Sequence, residues 1–240
     1  MVLVFPAQSA GADRLLVQMR HNLDRIGCGH DAPFALLYLR TTEAMREATR
    51  NGEFSDRRFW NRVTDGFGGY YLDAMKAWRR GQRNRVPAAW RIAFRAAARK
   101  QVLTLGDVML GINAHINRDL AFIYYRMGVK NRADHLFVNT VLARVQPVAL
   151  PEITARLDPT LGHQNSNDPR LSLDIYAWRE LAWNNAARLA AAPDRAARRA
   201  IAAHIEHHAA RLARRIRRAF PAGAAATRKR DAFCSGRSSS

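Results

Sequence analysis

Cysteine is nearly absent from this chain: Cys28 and Cys234 are the only two in 240 residues. Two cysteines that far apart do not make a disulfide framework, so the sequence predicts unpaired thiols and a reducing, cytoplasmic setting. No apolar run approaches the roughly 18 residues needed to cross a bilayer, and none is predicted to do so. The opening stretch, residues 1–8, carries no basic residue and makes a poor signal peptide, so the chain reads as soluble and not exported. Lysine is scarce as well: Lys76, Lys100, Lys130 and Lys229 stand against 35 arginines. Missing too are a Gly-x-Ser-x-Gly elbow, a phosphate-binding glycine loop and a dinucleotide fingerprint, which removes the commonest nucleophile and nucleotide chemistries. Cys28, two residues before His30, is too slight a pattern to stand in for them.

What the sequence does hold is apolar material in helical rhythm. A hydrophobic content of 48% and aromatic content of 9% suffice for one large core, which at this length buries roughly 70–75% of the unfolded surface. Trp60, Val63, Phe67, Tyr71, Met75 and Trp78 recur at three- and four-residue steps. Similar stripes predict helices from Asp13 to Ile26, from Pro33 to Asn51, from a Ser55 cap to Arg80, and from Pro87 through Phe94. Others follow from Val102 to Met127, from an Asn131 cap to Val145, briefly from Glu152 to Leu157, from Leu171 to Ala192, and from Pro193 to Phe220. Pro147 and Pro151 are expected to bracket a turn, and residues 158–169 to form a loop. No alternating strand and no repeat is visible. The predicted fold is all-α, a single multi-helix bundle over residues 1–220 with a disordered basic tail at 221–240.

The net charge of +19 is uneven. From Arg188 to the end, thirteen Arg and Lys stand against Asp194, Glu206 and Asp231. An Arg-rich last helix and tail predict, at most, non-specific grip on nucleic-acid phosphates, because no DNA-reading motif accompanies them.

The element from Leu105 to Asp119 carries the chemistry. At about 100° per residue, Leu105, Met109, Ile112, Ile116, Leu120 and Ile123 form one apolar stripe. His115 and Asp119, four apart, fall inside its flank; Asn113 and Arg118 sit at the edges, and Asn117 points away. A carboxylate on an apolar face is costly unless it is paired. Three readings stay open. One is a buried His–Asp hydrogen bond, shared with an arginine from another helix. One is half of a metal site for a divalent ion such as zinc, completed by His208 beside His204. One is a general acid–base pair in which Asp119 orients His115. Arg179, among Ile175, Trp178 and Ala182, is expected to seek a buried carboxylate, with Asp119 as its partner, or a substrate anion. Tyr71, Trp78, Asn113 and Trp178 are candidate substrate contacts. His21, His30, His135, His163 and His207 are expected at surfaces, loops or helix ends, and Asp65 and Asp73 in solvent.

The stretch Asn113-Ala-His-Ile-Asn-Arg-Asp-Leu120 resembles the hallmark of an uncharacterised bacterial family, a domain of unknown function. Phe59–Tyr71, Trp90–Phe94, Val138-Asn139 and Arg179–Trp183 resemble it too. The resemblance implies an α-helical domain and no activity; the usual proline after the Asp-Leu pair is Ala121 here. More loosely, Gly111, His115 and Asp119 are similar to the Gly-rich helix with His-x-x-x-Asp of the zinc-dependent phospholipase C and nuclease superfamily. That superfamily follows the aspartate with proline and another histidine. Here Ala121, Phe122 and Ile123 follow, and His204 and His208 stand where a His-x-x-x-Glu is usual. The function these readings support is an enzyme with a His/Asp site in an apolar bundle pocket. Its chemistry is isomerisation or cyclisation by proton transfer, or metal-assisted hydrolysis. A non-catalytic helical binder or scaffold is the alternative. Nothing in the sequence sets an oligomeric state.

Overall fold

The computed structural model describes residues 9–128, 131–164 and 169–237. Among them, the chain is helical throughout, with no strand; a lone antiparallel bridge joins Val102 to Pro221. The helices are α1 (Ser9–Ile26), α2 (Ala32–Arg50), α3 (Arg57–Arg79), α4 (Ala88–Ala98) and α5 (Thr104–Asn113). A π-helical turn (Ala114–Leu120) leads directly into α6 (Ala121–Met127). They are followed by α7 (Arg132–Arg156), α8 (Pro169–Ala190), α9 (Arg195–Ala219) and α10 (Ala224–Arg237). None of these helices is long and apolar enough to cross a membrane.

The unbroken run α5–π–α6 is the axis of the bundle. Helices α2, α4 and α9 pack on α5, while α3, α8 and α9 pack on the π turn. Two apolar clusters result, one around Phe34, Tyr71 and Trp90, the other around Trp60, Tyr124 and Val138. Ile116 and Phe67 touch both, so the π turn sits at the junction. Gly111 lets α2 come close: a Cβ there would lie 2.2 Å from Phe34 Cγ. Gly128, at φ 68°, ends α6 in the left-handed conformation that glycine adopts freely.

Three local expectations are corrected. Helix α1 begins at Ser9, so Asp13 lies inside it instead of capping it. Asp56, not Ser55, caps α3 by accepting from the Phe59 N–H at 2.8 Å. Ser55 is drawn away by Asp134, whose carboxylate also accepts from Trp60 Nε1 at 2.8 Å. Helix α7 runs straight through Pro147 and Pro151. Each proline costs roughly 3 kcal/mol in a helix interior. Both face outward, while Val138, Val141, Val145, Ala149 and Ile153 bury a continuous stripe, and α7 lies along α2.

The largest departure is at the C-terminus, read from its composition as a disordered tail. Helix α10 forms there, and Cys234 is disulfide-bonded to Cys28 across 206 residues of sequence. The thiols are therefore paired, not free as expected, and give no ground for a reducing compartment. Further ties hold α10 down. Arg230 donates to the Gly29 carbonyl, and Asp231 accepts from Lys100 and bonds His30 Nε2 at 3.2 Å. His30 is thus buried within a charge cluster instead of lying at an open helix end. Burial pushes the neighbouring Asp107 carboxyl up to about 6, against the pull of His30.

Candidate functional site

The π turn decides the site. A π turn closes i→i+5 hydrogen bonds, so each residue advances by less than 100° and the helical wheel slips. Asn117, expected to point away, is buried and donates to Asn113 Oδ1 at 3.1 Å. Asn113 in turn donates to the Ala209 carbonyl on α9, so it braces the turn against a neighbouring helix. Arg118 and Asp119, adjacent in sequence, come into contact: Arg118 Nη1 donates to Asp119 Oδ1 at 2.6 Å. Arg118 Nε donates to Glu206 on α9 at 2.7 Å. The partner of Asp119 is therefore Arg118 and not Arg179. Burial works against the Arg118 charge, but Asp119 and Glu206 together hold it above its ordinary pKa.

Asp119 is fully buried, and its second oxygen accepts from Trp90 Nε1 at 2.8 Å and from His115 Nδ1 at 3.1 Å. A carboxylate facing two other donors can only accept here, so the proton shared with His115 sits on Nδ1. His115 is 2% exposed, and burial lowers its pKa below the ordinary 6.5, against the opposing pull of Asp119. The ring is then neutral near pH 7 and its Nε2 keeps a lone pair. That atom is buried and has no hydrogen-bond partner among the described residues. Phe67 lies flat on the imidazole at 3.5 Å between centroids, and Tyr38 meets it edge-on at 4.3 Å.

These rings open onto a cavity of about 180 Å³. Phe34, Met45, Trp60, Met109, Ile112 and Leu142 supply much of its apolar wall; His115, Tyr124 and Arg179 are among its polar points. Arg179 belongs to a second buried network that sequence reasoning missed. His135, expected at the surface, has no exposure at all. Its Nδ1 accepts from the Tyr124 hydroxyl at 3.1 Å, and its Nε2 faces Glu180 at 3.0 Å. Burial, and then the Arg179 charge, push His135 down to about 4, so it is neutral near pH 7. Arg179 donates from Nη2 to the His135 carbonyl at 2.6 Å and from Nε to Asn139 Oδ1 at 2.7 Å. A signal was available: His135 and Asn139 are one helical turn apart, as are Arg179 and Trp183, and Asn139 and the Arg179–Trp183 stretch, though not His135, fall within the resembling segments.

Other candidates lie elsewhere. Tyr71 is buried against Phe34, does not line the cavity, and accepts from Asn22 Nδ2. Trp78 is half-buried beneath the Arg83 guanidinium. Trp178 packs partly buried against the first cluster and does not line the cavity. His208 is half-buried in a groove on α9 with Arg211, Arg214, Arg215 and Arg218, where the charge excess gathers. His204 and His207 are exposed, as are His21, His163 and Asp73. Asp65 is half-buried with one unbonded oxygen, and burial raises its pKa, so it is not in open solvent. Among the described residues, no three His, Cys, Asp or Glu side chains gather in a way that could hold a metal ion. Both Asp119 oxygens are already engaged, one by a guanidinium, so His115 and Asp119 do not fit a divalent ion and no step is routed through one.

A model of a family of unknown function (DUF5995) matches residues 12–219. No curated protein and no solved structure matches the chain.

Proposed function

The chain belongs to that family of unknown function, and we propose that it is an enzyme that moves protons on an apolar small molecule held inside the bundle. The observation that carries this reading is the unpartnered Nε2 of a neutral His115 on the wall of an apolar cavity. Leaving a buried ring nitrogen without a partner costs on the order of 1–3 kcal/mol. A substrate X–H bond placed there gives it a partner. Nε2 takes the proton, and Asp119, backed by Arg118 and Trp90, stabilises the imidazolium that forms. Returning the proton at a second atom completes an isomerisation or closes a ring. Because the ring resists protonation, it stays in the base form below pH 6.5.

The test is hydrogen–deuterium exchange at carbon in D₂O, followed by mass spectrometry over a panel of small apolar carbonyl compounds. Wild type is expected to label at least one compound, and His115→Gln none. Labelling by both proteins alike, or by neither although compounds bind, opposes the acid–base role.

A second reading has its own observation. Phe67 stacks flat on His115 while the Asp119 network ties α4, the π turn and α9 together. On that reading the chain is a non-catalytic binder and His115 is a packing element. His115→Gln would then lower stability and leave ligand binding unchanged.

A further inference from the structure

We infer that the cavity takes a small apolar monocarboxylate, its carboxylate on the guanidinium of Arg179 and its apolar body among the aromatic rings around His115. This rests on the reading of the cavity as a small-molecule site and adds the class of molecule.

Among the described residues lining the cavity, Arg179 is the sole arginine, no lysine joins it, and no aspartate or glutamate is present. Arg179 is 4% exposed, yet among the described residues it has no carboxylate partner. Its two strong bonds go to neutral oxygens, the Asn139 amide and the His135 carbonyl. Glu180, next in the chain, turns instead to Arg132 and His135. A buried cation without a counter-charge is costly unless something pairs with it. Here neutral groups fix the direction of the guanidinium: the Asn139 amide and the His135 carbonyl accept from it, the Tyr124 hydroxyl is hydrogen-bonded to it, and none of them carries a counter-charge. The site is thus pre-oriented for an anion that no described residue supplies.

The kind of anion follows from the same inventory. One planar guanidinium matches one planar carboxylate in a two-point pair. A phosphate dianion would need further donors, and His135 adds no charge because it stays neutral with Nδ1 occupied by Tyr124. The rest of the wall is hydrocarbon and aromatic, with Thr41, Thr42, Thr64 and Gln146 as the minor polar additions. The size follows from the volume. An apolar cavity of about 150 Å³ accepts benzene, and this one measures about 180 Å³. The body is therefore on the order of a single ring or a chain of about six or seven carbons, and the longer acids bound it from above.

The experiment is titration calorimetry of the full-length protein with benzoate, phenylbutanoate, hexanoate, octanoate and decanoate, each beside its neutral amide. Benzyl phosphonate is included as a dianionic probe. At least one carboxylate is expected to bind roughly ten-fold or more tightly than its amide, as a charge-assisted pair requires. Arg179→Gln should erase that preference while leaving amide binding in place, and Arg179→Lys should restore part of it. Equal binding of acid and amide by wild type overturns the carboxylate assignment and leaves the cavity reading standing. Tighter binding of the phosphonate overturns it as well. Binding of neither series overturns both readings. The comparison within wild type decides the matter even if Arg179→Gln does not fold.

Discussion

Replacing Asp119 by asparagine alters one atom of the central network and leaves its shape. The amide oxygen is expected at the Oδ2 position, where it still accepts from Trp90 and His115. The amide nitrogen then faces Arg118 Nη1, now 2.6 Å from a donor instead of an acceptor. Removing one partner of a buried ion pair costs roughly 3–5 kcal/mol. Arg118 keeps Glu206 at 2.7 Å, so the lower end applies, about 3 kcal/mol. Urea unfolding followed by tryptophan fluorescence measures it. With a slope near the upper end of the usual range, the midpoint should fall by about 1 M. Adding Arg118→Met removes the stranded donor and should return at least half of the loss, a coupling that a double-mutant cycle isolates. A loss under about 1 kcal/mol for Asp119→Asn, or no recovery in the double variant, would refute the claim that this carboxylate is held by a buried guanidinium.

Three further outcomes are expected. Gly111→Ala drives a methyl into Phe34, whose ring would lie 2.2 Å away, and should destabilise by about 2 kcal/mol net of the helix-propensity gain; a stabilised variant in the same urea assay would contradict the packing. His115 and His135 both have lowered folded pKa values, so their contribution is present above 6.5 and is lost as pH falls, through about 4 for His135. His135→Gln should therefore flatten the fall in stability between pH 7 and pH 4; Asp107 acts in the opposite sense as pH rises through about 6, so the effect is read as the difference between variant and wild type. Cys28→Ser with Cys234→Ser opens a loop closed across 206 residues and should cost up to about 5 kcal/mol by loop entropy; an unchanged melting temperature would show that α10 is held by its ion pairs alone.

The all-α architecture was legible because helical periodicity and glycine stops are local signals. Gly27, Gly52 and Gly128 all adopt positive φ near the ends their helices were assigned. The burial of His115 and Asp119 was legible for the same reason. Arg118 was assigned to an edge because a 100° wheel separates neighbours in sequence, and the π turn removes that premise. Helix α7 was cut at Pro147 because proline's local penalty is visible in sequence, whereas the tertiary stripe that outweighs it is not. The disulfide and α10 depend on contacts between the two ends of the chain, and His135 depends on α8 arriving over α7. Such contacts leave no periodicity. The tail's composition pointed the other way, since its arginines read as solvated charge while Arg230 is in fact buried.

If His115 acts as a base in this cavity, it is neutral, with its proton on Nδ1 and its Nε2 free. Heteronuclear NMR of the imidazole nitrogens, with His115→Gln to assign them, tests it at pH 7. A protonated Nδ1 and an unprotonated Nε2 are expected at that pH, with Nε2 shifting when a cavity ligand is added, because burial holds the His115 pKa below its ordinary value. A ring protonated on both nitrogens at pH 7, or an Nε2 that carries the proton, would contradict it.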